Sequence, residues 1–134
     1  MALNLSPEKG VKLTKKDRAH VLKKMKQGWK ATCLIPDYVF DENGDIQINS
    51  DMNRRVVKIV KILDDGIHIE NALKSKTLRI QWKKILAVNK SKEVKNGLEI
   101  KMRDGKYVTF STYNSYKYQQ IMQFMAEYIT NKTK

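Results

Sequence analysis

The stretch that decides the fold is residues 97–112, GLEIKMRDGKYVTFST. Apolar and polar side chains alternate on both sides of its central Asp-Gly pair, which predicts two antiparallel strands joined by a tight turn. A two-residue turn would pair Ile100 with Thr109 and bring a polar group into the core. A three-residue loop that ends at Gly105, in the left-handed conformation, pairs Ile100 with Val108 instead. We favour the second register because it keeps one face of the hairpin apolar.

The sequence before this hairpin predicts further strands. Residues 77–82 alternate in the same way, and residues 54–63 are apolar on both faces, which is typical of a central strand covered on both sides. Shorter strand-like segments, divided by Pro36 and by turn sequences, are residues 29–35, 38–40, 45–49 and 67–71.

Helices are predicted at both ends of this strand-rich region. Thr14 and Asp17 resemble a capping box, and Gly28 is placed to end a helix of about thirteen residues. Its outer surface is basic, and its apolar stripe is narrow, being formed by Val21, Leu22 and Met25. The second helix begins near residue 114 or 115 and carries a wide apolar stripe that predicts a cap over the sheet, namely Tyr118, Ile121, Met122, Met125, Tyr128 and Ile129.

The order of these elements carries a resemblance to a known family. Three segments are the basis: LRIQWKKILAV at 78–88, GLEIKMRDGKYVTFSTY at 97–113 and KYQQIMQFMAEYI at 117–129. They resemble the GRAM and bacterial branches of the pleckstrin-homology-like superfold, over about residues 54–130. The resemblance implies a bent sheet or barrel that binds lipid headgroups, peptides or partner proteins and has no catalytic activity. The loop between the first two strands is acidic in this chain, so the phosphoinositide pocket of the family is not expected; its acidic residues are Asp37, Asp41, Glu42 and Asp45.

We therefore predict an α+β protein: a strongly bent antiparallel sheet or partly open barrel of about seven strands, capped by a C-terminal helix and preceded by an extra N-terminal helix. A length of 134 residues suits one domain. The predicted organisation is a flexible arm at 1–13, a basic helix at 14–28, a PH-like domain at 29–130 and a frayed tail at 131–134. No run of about 20 apolar residues is present, so no membrane span is expected, and no secretory signal is visible.

Catalytic chemistry is not expected. The sequence has no nucleotide-binding, hydrolase or metalloprotease motif. His20 and His68 are predicted to be solvated, without metal-ligand spacing to other side chains. The single cysteine, Cys33, lies among apolar neighbours and is predicted to be a buried thiol in a reducing compartment. No enzyme activity, cofactor or metal is predicted, and the expected location is the cytoplasm.

The charge is the strongest functional signal. The chain has 27 Lys and Arg against 14 Asp and Glu, a net charge of +13, which predicts attraction to polyanions. Lysine dominates over arginine, which favours diffuse attraction over geometric recognition. A solvated surface with no dedicated ligand is the alternative interpretation of the same excess. The candidate polyanion-binding residues are Lys15, Lys16, Lys23 and Lys24 in the first helix, Lys83, Lys84, Lys90, Lys92 and Lys95 around the last strands, and Lys74 and Lys76 between them.

The sequence leaves three functions open. The leading hypothesis is a non-enzymatic binding module whose basic surface recruits it to an anionic membrane surface, at the inner face, or to an acidic protein partner. One alternative is a nucleic-acid-binding protein that acts through nonspecific phosphate contacts. The other is a protein adaptor or inhibitor that takes a peptide at a sheet edge or beside the terminal helix. The oligomeric state is not predicted.

Overall fold

The computed structural model describes residues 13–40, 42–43, 46–71, 77–112 and 118–134, and their side chains except those of 37–40, 46–52 and 118–119. These residues form one seven-stranded antiparallel sheet, strongly curled into a half-barrel, and two α-helices. The predicted α+β class is confirmed. The elements are α1 (Lys15–Gln27), β1 (Trp29–Phe40), β2 (Ile46–Leu63), β3 (Gly66–Glu70), β4 (Thr77–Gln81), a 3-10 turn (Trp82–Lys84), β5 (Ile85–Lys90), β6 (Gly97–Met102), β7 (Tyr107–Ser111) and α2 (Tyr118–Lys132).

The connection between β4 and β5 shows why the sheet must curl. The strand order is β4-β3-β2-β1-β7-β6-β5, so these two consecutive strands occupy opposite edges. In a flat sheet the edges would lie about 29 Å apart, at about 4.8 Å per strand. The four Cα–Cα steps from Gln81 to Ile85 reach at most about 15 Å. The sheet therefore bends until its two edges approach each other at the 3-10 turn.

The hairpin of β6 and β7 has the predicted register. Ile100 pairs with Val108 and Leu98 with Phe110. Gly105 has a φ of 88°, in the left-handed region that the three-residue loop requires. The sequence analysis did not predict a separate strand for β5, which runs from Ile85 to Lys90.

The first two strands are longer than predicted. Segments 29–35 and 38–40 belong to a single strand, β1, whose pairing with β2 shifts register between Pro36 and Tyr38. Proline has no N–H to donate, and a bulge at this point lets the strand continue past it. The segments at 45–49 and 54–63 likewise merge into β2.

The prediction that β2 is covered on both faces is wrong. Val60 and Ile62 are buried in the core, but Val57, on the opposite face, is 57% exposed and Ile59 is only half-buried. The outer face of β2 is therefore partly open to solvent, and its apolar residues there do not contribute to the core.

Helix α1 begins and ends as predicted. Thr14 Oγ1 accepts a hydrogen bond from the Asp17 backbone N–H, and an Asp17 carboxylate oxygen accepts one from the Thr14 N–H. Val21 and Met25 are buried in the same core as the strands. Leu13 packs against this core, so the last residue of the predicted arm at 1–13 is part of the fold; the rest of the arm lies outside the described residues.

Helix α2 covers the open side of the sheet as predicted, in contact with β5 and β6. It continues to Lys132, so the predicted tail at 131–134 begins inside the helix. Among the described residues, neither helix has the length and apolar character needed to cross a bilayer. The residues that α2 contributes to the core are Ile121, Met122, Met125, Ala126 and Ile129.

Candidate functional site: a basic turn and an outer groove

The lysines of α1 do not all point in one direction. Lys15, Lys16 and Lys23 are exposed, and Lys24 is half-buried. At about 100° per residue, Lys16 and Lys23 lie about 20° apart around the helix axis, on the side away from the buried residues. Lys15 and Lys24 are about 180° apart and fall on opposite flanks. The outermost basic line of the helix is therefore formed by Lys16 and Lys23.

Lys83 and Lys84 form a compact basic cluster with Arg103, which the sequence analysis did not select. The Arg103 backbone N–H donates to the Lys84 carbonyl oxygen at 2.9 Å, and its Nε–H donates to the Lys83 carbonyl oxygen at 3.0 Å. All three residues are exposed. We call this group the turn cluster. Alternation placed Arg103 in a hairpin loop, but only the curl of the sheet brings that loop to the 3-10 turn.

Trp82 holds the backbone of the turn cluster in place. Its indole N–H donates to the carbonyl oxygen of Asp64, in the β2–β3 turn, at 2.7 Å. The half-buried ring packs against the core. The 3-10 turn is therefore anchored on one side by an indole and on the other by Arg103, while its two lysine side chains reach solvent.

Lys90, Lys92 and Lys95 lie at the other end of β5. All three are exposed, and Lys84 and Lys90 are separated by the length of the strand, about 20 Å. Ser91 holds their loop in place. Its Oγ accepts hydrogen bonds from the backbone N–H groups of Glu93, at 3.1 Å, and Val94, at 3.0 Å. The structure thus divides the group predicted around the last strands into two. Lys74 and Lys76 lie outside the described residues.

The turn cluster shares one end of the sheet with the end of α1. Helix α1 ends at Gly28, and the next residue, Trp29, pairs with Val60 on β2. The β2–β3 turn at Asp64, which holds Trp82, follows four residues later, about 13 Å along the strand. The lysines in the last turns of α1 and the turn cluster therefore lie toward the same end of β2.

His68 is not solvated, contrary to the prediction. It is only 9% exposed, and its Nε2 lies 2.9 Å from the nearer carboxylate oxygen of Asp65. All five residues of β3 are buried, so a side chain on its outer face is still withdrawn from water. Lys61 and the buried Glu70 form an ion pair of 3.3 Å beside it. His20 is exposed, as predicted.

Cys33 is a buried thiol, as predicted. It is fully buried, and its Sγ lies 3.6 Å from the carbonyl oxygen of Ala31. Burial raises the pKa of this thiol from 9.0 to about 12, against a smaller opposing effect from Lys58. Among the described residues, no group of three or more His, Cys, Asp and Glu side chains could hold a metal ion.

A groove of about 670 Å³ lies on the outer face of β1, β2, β6 and β7. Leu34, Pro36 and Tyr107 provide apolar lining, and Glu93 and Glu99 provide carboxylates. The same two glutamates also line a second depression, along the β5–β6 loop. The sequence placed Glu99 on the outward face of a strand but contained no signal that it would meet residues of β1 and β2.

No known protein family and no curated protein sequence matches this chain. A solved structure with a similar fold is that of Inner Membrane Complex sub-compartment protein 3 from Toxoplasma gondii. The two chains share 14% sequence identity with a TM-score of 0.61, over 96% of this chain and 94% of that one. The likeness supports the curled sheet with its helices as a fold; at this identity it says nothing about a shared ligand.

Proposed function

We propose that this protein is a non-enzymatic binding module of the PH-like type, and that its turn cluster attaches it to an anionic membrane surface. The observation that carries the proposal is the hydrogen-bonded arrangement of Lys83, Lys84 and Arg103 at one end of the half-barrel. Two exposed lysines on the 3-10 turn and an exposed arginine from the adjoining hairpin loop form a local positive surface.

The turn cluster is expected to make a measurable contribution to membrane binding. Each Lys or Arg near an anionic bilayer contributes about 1 kcal/mol, so three contribute about 3 kcal/mol, or about 150-fold in binding. Anchoring by Trp82 and Arg103 keeps the three charges together without further ordering of the backbone. Lys23 and Lys24, near the same end of β2, add to the same field.

Membrane binding is favoured over nucleic-acid binding by the kind of charge present. The chain has many more lysines than arginines, and lysine acts as a point charge, without the fork that reads phosphates and base edges. The similar structure belongs to a protein named for an inner membrane complex. That name describes the other protein, and we extend a membrane association to this chain only as part of the proposal.

We also propose that the protein has no catalytic activity. His68 and Asp65 form a pair with each other, and Cys33 is buried with a raised pKa, so neither the imidazole nor the thiol is presented to a substrate. These groups are explained by packing and by satisfied hydrogen bonds.

The test is binding to phosphatidylcholine vesicles prepared with and without phosphatidylserine. The unmodified protein is expected to float with the anionic vesicles only. A Lys83→Glu, Lys84→Glu variant is expected to lose at least about tenfold in affinity. The matched control is Lys132→Glu, Lys134→Glu, which makes the same change in net charge at two exposed lysines near the end of α2.

Equal losses in the variant and the control would show that net charge alone governs binding and would remove the turn cluster as a site. A parallel titration with unrelated DNA and RNA over a salt series separates the alternative. Binding to nucleic acid at physiological salt, without vesicle binding, would replace the membrane proposal with phosphate-mediated nucleic-acid binding.

A further inference from the structure

We infer that the groove on the outer face of β1, β2, β6 and β7 binds a short basic segment of a partner protein. An apolar side chain of that segment packs on Leu34, Pro36 and Tyr107, and a lysine or arginine side chain reaches Glu93 and Glu99. This inference goes beyond membrane attachment and does not depend on it.

The groove arises where β1 and β7 separate. Among the described residues, the two strands pair at Cys33 with Phe110 and at Leu34 with Thr109. Pro36 lies two residues after Leu34 on β1. Because it has no N–H, it cannot donate a further hydrogen bond between the two strands.

The side chain of Asn53, on β2, bridges the resulting gap. Its Nδ2 donates to the Tyr107 carbonyl oxygen at 2.9 Å and to the Leu34 carbonyl oxygen at 3.3 Å. The Asn53 amide therefore links β1 and β7 where their backbones do not pair, and it forms the floor of the groove.

The two glutamates are open to a cation from outside. The chain contains 27 Lys and Arg, yet neither Glu93 nor Glu99 forms an ion pair with a cation of the described residues. Lys101, two residues after Glu99 on the same strand, lies over the Tyr107 ring, 5.8 Å from its centroid. Arg55 donates to the backbone oxygen of Glu93 at 3.3 Å, which holds the loop rather than its carboxylate.

Glu99 is also partly withdrawn from water. It is half-buried and pairs across the sheet with Thr109, which is only 3% exposed. A carboxylate that has lost part of its hydration gains more from a cation than an exposed one does. Charge complementarity at this position therefore favours a basic ligand.

The occupant is a segment of another protein rather than a second copy of this chain. Two copies would each carry a net charge of +13 and would repel each other. A short segment with one or two basic residues beside an apolar one carries little net charge. It matches both the apolar lining of the groove and its two carboxylates. Asp104 and Lys106 line the end of the groove next to the turn cluster.

The experiment uses the whole chain, labelled with ¹⁵N, and a short synthetic peptide in which two arginines alternate with valines. We expect amide shift changes at residues 34, 35, 53, 93, 99 and 105–109. A Glu93→Gln, Glu99→Gln variant should bind the labelled peptide at least about tenfold more weakly in fluorescence anisotropy, because two charge-assisted contacts are lost. The matched control is Glu42→Gln, Glu127→Gln, which makes the same change in net charge at two exposed glutamates that do not line the groove.

The inference is overturned if the double variant binds as tightly as the unmodified protein, if a peptide of alternating glutamate and valine binds equally well, or if the shifts map to another surface. Glu93 lies in an exposed loop, so the single change Glu93→Gln tests the site even if the double variant is unstable. Lys83→Glu, Lys84→Glu should not weaken peptide binding, so this result is separate from the vesicle test.

Discussion

The indole N–H of Trp82 donates a hydrogen bond to the carbonyl oxygen of Asp64, with 2.7 Å between the two heavy atoms. The residues are 18 positions apart in the chain and join the turn after β4 to the turn after β2. This bond links the curvature of the sheet to the position of Lys83 and Lys84.

Replacing Trp82 with phenylalanine keeps most of the packing and removes this bond. We expect the free energy of unfolding to fall by about 1 kcal/mol, the usual net value of one hydrogen bond. Urea denaturation measures the change. Vesicle binding of the folded variant should weaken as well, because the turn that carries the two lysines is less constrained; unchanged binding would show that the anchor does not matter for attachment.

Arg103 is expected to contribute to vesicle binding, although no local sequence pattern groups it with Lys83 and Lys84. Arg103→Gln should weaken binding to anionic vesicles by about fivefold, the equivalent of about 1 kcal/mol for one charge. Arg103→Lys retains the charge but loses the Nε–H that donates to the Lys83 carbonyl oxygen. Its affinity for anionic vesicles should lie between that of the unmodified protein and that of Arg103→Gln. Lys132→Gln, an equal loss of charge elsewhere, serves as the control in the same flotation assay.

Asp65 and Asp64 are adjacent but should respond differently to replacement by alanine. Asp65→Ala removes the partner of the buried His68 and should lower the free energy of unfolding by about 1 to 2 kcal/mol. Asp64→Ala removes an exposed carboxylate and should change it by less than about 0.5 kcal/mol. Equal effects in urea denaturation would mean that both residues act through the turn and not through the histidine.

Cys33 should make stability fall at alkaline pH. Its pKa is about 12 in the folded protein against an ordinary 9.0, so above pH 9 the unfolded chain releases the thiol proton while the folded chain keeps it. The unfolded state then binds fewer protons, and the free energy of unfolding decreases by about 1.4 kcal/mol at pH 10. Cys33→Ala removes this dependence, and the pH profiles of the two proteins, compared by thermal denaturation between pH 8 and pH 11, isolate it from the tyrosines and lysines.

Two glycines with positive φ should tolerate alanine to different degrees. Gly105, with a φ of 88°, has open space where a Cβ would stand, so Gly105→Ala should cost only the conformational strain of about 1 kcal/mol. A Cβ at Gly66 would overlap the carbonyl oxygen of Ile80 on the neighbouring strand, and Gly66→Ala should cost more than about 3 kcal/mol or prevent folding. Similar melting temperatures for the two variants would contradict the close approach of β3 and β4.

Local sequence patterns were sufficient to predict those structural features that depend on residues close together in the chain. The Thr14–Asp17 capping box, the register of Ile100 with Val108 and the left-handed Gly105 depend on residues within one helix turn or one hairpin. Alternation and turn chemistry record such short-range constraints directly.

The functional surfaces depend on contacts between residues far apart in the chain. Alternation indicated that His68 points outward, but whether an outward residue meets water depends on what covers it, and here β3 is buried on both faces. Arg103 joins Lys83 across 20 positions, and Asn53 joins Tyr107 across 54, only because the curled sheet brings their strands together.

The local sequence therefore determined the bounds of α1, the register of the β6–β7 hairpin and the excess of positive charge. Tertiary structure alone decided which lysines share a turn, which histidine is withdrawn from water and where a groove opens. The physical reason is that helix and hairpin periodicity is set by side chains a few residues apart, whereas burial and charge clustering are set by the bending of the whole sheet.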